Sequence, residues 1–434
     1  MALNLAISLL NLFLCVWQSV YALRSGRLIS VVWILFSYFG LFAFRVAVMS
    51  EITWVRGFVG ETVQADSTTI TKALLYLLLF NLLFYFTDAF CTRFYVNGIR
   101  PALNWLFVID GSKSRFLLCL LGGCLLIGGA SYIWQMRMGS YRDYVEGDAS
   151  WAVVFFWASA PIIVISAMLR RKWIAIICCL PFLYVSVHLG VRSFLLLSLL
   201  PFILVSLFGL GVHKGLRLWK MSTYLLFASL SLVVASYYIS QYGKGGFTFP
   251  DSGMPVAYVQ TMYMVDKTES HTGFSSLQLY GWNYINPFAR LAGFHRPEIK
   301  DTPQIIASLL DGVPDGWNVY YHYPALIWAD SYISFGFIGL LLAVFWGVIL
   351  NIWEAIMARS PVLLSLLLPY YCWHAYMLVR GAIAGSTVPV SYSLYISLIA
   401  YILVFRGDTF KKTAISHGYD DSVVLSRNNN NLMN

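Results

Sequence analysis

Apolar runs of helix-spanning length recur along nearly the whole chain, separated by short polar breaks. Runs of about 20 apolar residues are what a bilayer-crossing helix needs. Read this way, the pattern predicts eleven spans, at 2–22, 28–49, 72–91, 114–134, 151–169, 173–189, 194–211, 221–241, 328–353, 361–380 and 388–405. One stretch breaks the rhythm. Residues 242–327 are polar, long, and rich in Trp, Tyr, Phe and Pro, which predicts an ordered subdomain outside the membrane rather than a simple connection. Within it DTPQIIASLLDG (301–312) reads as an amphipathic helix. Asp301 and Thr302 are available as caps, Pro303 suits the first turn, and Gly312 ends it.

Composition agrees. The chain is 59% hydrophobic and 11% charged, against about 25% charged in soluble domains. The expected fold class is therefore all-α: a polytopic integral membrane protein of about 11 transmembrane helices. One membrane domain would occupy 1–412, and the polar end at 413–434 would be a flexible tail. The first apolar run has no basic residue before it, so it reads as a retained helix rather than a secretory signal. The seven cysteines lie in or beside apolar segments without metal-type spacing, which speaks against disulfides and zinc.

The net charge of +9 becomes informative once it is divided between sides. RSGR (24–27), the 92–115 loop, RRK (170–172), HKGLRLWK (213–220) and the RGDTFKK start of the tail are basic. The alternate loops, such as SEITWVRGFVGET, are mixed. Basic short loops face the cytoplasm. This puts the 242–327 segment and Arg192 of HLGVRSFLLL on the outer side, with the carboxyl end inside.

Several outer cations are not in open loops. Arg45 lies inside FGLFAFRVAVM, Arg192 is pinned in a tight turn between two apolar runs, and Arg380 ends YYCWHAYMLVR. Ionisable groups at membrane depth are costly and usually face a cavity or a partner. Snorkelling to headgroups is the simpler reading. The more specific one is a set of arginines converging on an anion, since the guanidinium binds phosphate bidentately and stays charged. Arg142, Arg290 and Arg296 are further members on the same side. With many aromatic rings, Tyr321 among them, and no metal-ligand cluster, the set suggests a lipid-linked pyrophosphate carrying sugar. No nucleotide-binding glycine loop is present, and no cofactor is implied. Nothing points to nucleic acid.

Glycosyl transfer from such a donor needs the leaving pyrophosphate neutralised and the acceptor hydroxyl oriented or deprotonated. Candidate bases are His322 and Asp330 in WNVYYHYPALIWADSYISFG, then Asp143 and Glu146. A surface hydrogen bond for His322 and an arginine ion pair for Asp330 are the competing structural readings. His374 reads as a core residue.

Four stretches together resemble the Wzy-type O-antigen polymerases: MRMGSYRDYVEGD, GVRSFLLLSLLP, NPFARLAGFHRPEI with ALIWADSYISFGFIGLLL, and MLVRGAIAGS. The resemblance implies a metal-independent, GT-C-like glycosyltransferase of the bacterial inner membrane, acting in lipopolysaccharide or surface-polysaccharide biosynthesis. It would transfer a growing glycan from undecaprenyl pyrophosphate to the non-reducing end of a lipid-linked repeat unit at the periplasmic face. The partners implied are that lipid-linked oligosaccharide, membrane lipids and a chain-length regulator. Functional arginines would map to Arg192, Arg380, Arg290 and Arg296. Asp330 stands where the family commonly has glutamate. An O-antigen ligase shares the same donor, and a flippase or transporter of the same lipid is the alternative of another class.

Overall fold

The computed structural model describes residues 1–56, 59–94, 98–99, 111–137, 151–169, 171–189, 193–214, 254–269, 271–295, 299–300, 302–312, 326–380 and 387–405. The expected span at 221–241 and the 413–434 tail lie outside them. The described residues form fifteen α-helices and one β-hairpin. In chain order they are α1 (Ala2–Arg24), α2 (Ser30–Ala47), β1 (Ile52–Arg56), β2 (Glu61–Ala65), α3 (Ser67–Phe94), α4 (Gly111–Arg137), α5 (Trp151–Ala158), α6 (Pro161–Met168), α7 (Lys172–Leu189) and α8 (Ser193–Lys214). There follow α9 (Met254–Thr268), α10 (Ser275–Leu291), α11 (Thr302–Asp311), α12 (Leu326–Phe335), α13 (Leu341–Ala358), α14 (Pro361–Arg380) and α15 (Thr387–Phe405). By length and composition alone, seven helical stretches are long and apolar enough to cross a membrane, counting α5–α6 as one and including the α12–α13 run, which is interrupted at Gly336–Leu340. The chain is a mostly helical, multi-pass membrane protein.

Two apolar cores share α14. One face of that helix (Leu364, Leu368, Tyr371, Ala375) packs with α1–α3, α9 and α12–α13. The opposite face (Leu366, Tyr370, Trp373, Met377) packs with α4–α8 and α15. Inside these cores, backbone groups freed by proline are satisfied by neighbouring side chains, as an apolar medium demands. Pro161 separates α5 from α6. The Ala158 carbonyl then accepts from Ser397 Oγ at 2.7 Å, and that of Trp157 from Tyr370 Oη at 3.3 Å. Close approach is arranged with small residues. A Cβ added at Gly128 on α4 would sit 2.4 Å from the Phe156 nitrogen on α5.

Within this all-α fold, residues 52–65 add one β-hairpin. ITWVR and ETVQA pair antiparallel, Trp54 opposite Val63, around a Gly60 with φ of +68°. The alternating burial of β1 (Ile52 in, Thr53 out) carries a two-residue period that was hidden in what reads as a mixed loop. The hairpin marks one end of the bundle. Arg56 there bonds Glu61 at 2.9 Å and the Ser308 carbonyl of α11 at 3.4 Å, and Lys267 of α9 reaches Glu61 at 3.1 Å. α3 begins beside it, capped by Asp66, whose carboxylate accepts the Thr69 N–H at 2.9 Å.

A correction concerns 328–353, expected as one span. The chain there folds back. Trp328 donates to Asn81 at 3.1 Å, midway along α3, and its ring lies 5.4 Å from Phe36. Tyr332 and Phe337 pack instead on Tyr76, at 5.1 and 5.8 Å, with Lys72 over both rings. So α12 climbs toward the hairpin end, from the level of residue 81 to that of 72. α13 then descends: Gly347 lies against Thr87, and Glu354 reaches the far end of the bundle. The reversal occupies a 3₁₀ turn, Gly336–Leu340. Gly336 takes φ of +58°, and a Cβ at Gly339 would sit 2.0 Å from the Ser331 carbonyl oxygen. The end of α12 is closed by the loop before α10: Thr272 N–H donates to the Ile333 carbonyl at 3.1 Å and Gly273 N–H to that of Ser334 at 2.9 Å. Hydropathy reads both limbs as one apolar run; the glycines set the turn.

The described helices of the 242–327 segment pack against the spans. α9 and α11 sit with the hairpin, but α10 packs along α15, between it and α13–α14.

Candidate functional site

Of the expected site residues, Arg142, Arg192, Arg296, Tyr321 and His322 lie outside the described residues. Arg45 is exposed in the last turn of α2, and Arg290 is exposed in the last turn of α10. Asp330 is buried on α12 and accepts a hydrogen bond from Thr302 Oγ1 at the start of α11. No described contact joins Arg45, Arg290 and Arg380 to one another. A shallow apolar crevice lined by Phe39, Leu74, Leu77, Tyr258, Leu326 and Trp328 has no cation to hold an anion.

Arg380 has the most distinctive setting of the three. It ends α14 at the hairpin end, half-buried, with Cζ 5.9 Å from the Tyr376 ring. Its Nε is buried and unpartnered among the described residues. One and a half turns deeper, His374 is almost fully buried. Its Nδ1 donates to the Tyr370 carbonyl at 2.7 Å, which leaves Nε2 to accept from Tyr284 Oη of α10. A carbonyl only accepts, so Nδ1 carries a proton, and in the neutral imidazole Nε2 is then the acceptor. Rings of Tyr280, Trp353 and Trp373 surround the imidazole at 5.0–6.2 Å. Roughly half a turn around α10 from Tyr284, and so off the face that meets His374, two more buried polar atoms lack a described partner, Trp282 Nε1 and Asn286 Oδ1. Buried polar atoms are nearly always satisfied, so unpaired ones mark where a ligand or water belongs. A histidine that accepts from a tyrosine hydroxyl can draw its proton, and aromatic faces suit sugar rings. His374, read from sequence as core, is core by burial but also carries the pair that gives the site its acid–base capacity. Tyr284 was not legible, since a tyrosine in a polar loop gives no sign of its partner 90 residues on.

The opposite end of the bundle holds a cluster that sequence reasoning missed. Arg27, read as one of several loop cations, is 2% exposed. It pairs with Asp88 of α3 at 2.7 Å and Glu354 of α13 at 3.7 Å, and donates to Asn351 at 2.5 Å and to Thr92. Glu354 also accepts the Leu28 and Ile29 N–H groups at 2.8 and 3.2 Å, and Trp33 Nε1 donates to Asp88 at 3.2 Å. Every member is committed to another, so the cluster is a fastening between three helix ends. Charges within apolar spans, Asp88 and Glu354, were the available signal.

Among the described residues no group of His, Cys, Asp or Glu could hold a metal ion. No protein-family model, curated protein or solved structure matches this chain.

Proposed function

We propose that this chain is a membrane glycosyltransferase that polymerises lipid-linked oligosaccharide repeat units at the outer face of a bacterial inner membrane. The glycan would leave undecaprenyl pyrophosphate and join the non-reducing end of the next unit. The observation that carries the reading is Arg380: a half-buried guanidinium whose buried Nε has no partner among the described residues, at the hairpin end of a helix whose next turns hold the His374–Tyr284 pair. In this reading Arg380 neutralises the leaving pyrophosphate. Tyr284, polarised by His374, orients or deprotonates the acceptor hydroxyl. The motifs around Arg192, Arg290 and Arg296 would complete the anion site.

One observation favours a transporter of the same lipid. Transporters build their sites from broken helices near the bilayer midplane, and the α12–α13 fold-back is a broken helix that begins level with Asn81. A single assay separates the two. Purified protein is given undecaprenyl-pyrophosphate repeat units in EDTA, and products are resolved as a ladder. Wild type is expected to extend chains. Arg380→Ala and Arg380→Lys are expected to stop while remaining monodisperse, because lysine cannot replace a planar two-point donor. Tyr284→Phe is expected to lose turnover more than donor binding. Normal ladders from Arg380→Ala refute the pyrophosphate role. No ladder from wild type, with lipid moved across liposomes, favours the transporter.

A further inference from the structure

Helix α10 is inside out by the standard of a water-soluble loop. Asn283 and Asn286 are buried at 0% and 1% exposure, while Ile285, Phe288 and Leu291 are 52%, 59% and 88% exposed, and Phe294 just beyond is 64% exposed. The spacing 285–288–291 places them on one stripe, with the asparagines turned toward the bundle. Water as the surrounding medium would favour the reverse arrangement.

A second observation concerns the backbone. Pro287 lies inside α10 and has no N–H for the Asn283 carbonyl one turn earlier. That carbonyl is not left to solvent: Ser391 Oγ of α15 donates to it at 2.8 Å, and Tyr395 Oη donates to the next, Tyr284, at 2.8 Å. This is the same remedy used at Pro161 inside the spans. The stripe is also continuous with apolar surface on its neighbours. Phe288 packs on Tyr395 at 5.1 Å, and α15 goes on to expose Leu398, Ile399, Ile402 and Leu403.

We infer that α10 and the turn to Phe294 are embedded in the membrane, with the 285–288–291–294 stripe bathed in lipid acyl chains, although the segment lies in a polar stretch that hydropathy places outside. The helix then works as a lipid-facing wall, packed against the bundle on its asparagine side and oily on the other. Arg290, exposed in the last turn of α10, lies on the asparagine side and is not part of the stripe.

The test uses the full chain. With its native cysteines replaced, single spin labels are placed at Phe288→Cys and Leu291→Cys, with Ile402→Cys as the lipid reference and Val55→Cys on the hairpin as the water reference. After reconstitution, relaxation by oxygen and by a water-soluble nickel chelate is compared. The expected result is oxygen-dominated relaxation at 288 and 291, matching 402 and opposite to 55. Nickel-dominated relaxation at both positions overturns the inference. So does dipolar broadening between labels at 288, which would assign the stripe to a second copy of the chain. Should the cysteine-replaced protein fail to fold, native protein in vesicles containing an acyl-chain diazirine phospholipid gives the same answer. Adducts on 285–294 at the level of 398–403 support the inference, and their absence beside labelled 398–403 overturns it.

Discussion

Replacing Arg27 with methionine tests whether the buried cluster fastens α1–α2 to α3 and α13. At the observed 2.7 and 3.7 Å, attraction to Asp88 and Glu354 amounts to about 6 and 4.5 kcal/mol at an effective dielectric near 20. Much of that offsets the desolvation of three ions. The variant, however, does not recover the desolvation: it leaves two carboxylates buried, faces them with a thioether, and strands Asn351 and Thr92. Removing one partner of a buried pair costs about 3–5 kcal/mol, and that is the expected loss. It is read as thermal unfolding in detergent, following monodisperse protein by size exclusion after heating. Arg27→Met together with Asp88→Leu and Glu354→Leu should recover most of the loss, since a packed apolar replacement is often neutral. A loss below about 1 kcal/mol in the single variant would refute the reasoning, because it would place the cluster among exposed pairs. Arg27→Lys should fall between, one ammonium being unable to span Asp88, Glu354, Asn351 and Thr92.

Other outcomes follow from local geometry. Gly339→Ala should abolish accumulation of folded protein, since its Cβ would meet the Ser331 carbonyl oxygen at 2.0 Å, whereas Gly281→Ala, with open space around it, should be neutral in the same expression assay. Ser397→Ala should cost about 1–3 kcal/mol in thermal stability by leaving the Ala158 carbonyl unsatisfied. Asp66 is held at a pKa of about 2, below its ordinary 3.8, by the Thr69 N–H and by the Thr68 and Thr69 hydroxyls. Its stabilisation is therefore full above about pH 4 and disappears as pH falls toward 2. Asp66→Ala should lower stability by about 1 kcal/mol at neutral pH, and melting curves of the two proteins should converge in acid.

Much of the frame was legible. Ten of the expected spans fall on described residues, and nine of these coincide with observed helices to within a few residues, because burial in lipid leaves a long apolar signal. Thr302–Asp311 with Gly312 at φ +70° was readable from its end signals alone. What failed did so for identifiable reasons. Hydropathy has no sign, so α12 rising and α13 descending sum to one span. The hairpin was masked because its alternation runs only five residues per strand. Arg27 was misread because a charge beside a loop is indistinguishable in sequence from one turned inward. The pairing of Tyr284 with His374 depends on α10 entering the bundle, which a polar stretch conceals.

The fastening at Arg27 also has a history in time. Arg27 and Asp88 are synthesised early, but Glu354 follows Asp88 by 266 residues. At roughly 5–20 residues per second, the first three helices wait about 13–50 s with Arg27 and Asp88 joined to each other, Thr92 and Trp33 but lacking Asn351 and Glu354. The turn between α1 and α2 then lacks the acceptor for its Leu28 and Ile29 N–H groups. Completion of the amino-terminal helices is thus deferred until the carboxyl-terminal ones have entered the membrane, so a chain released early would carry an unfinished joint that a quality-control protease could recognise.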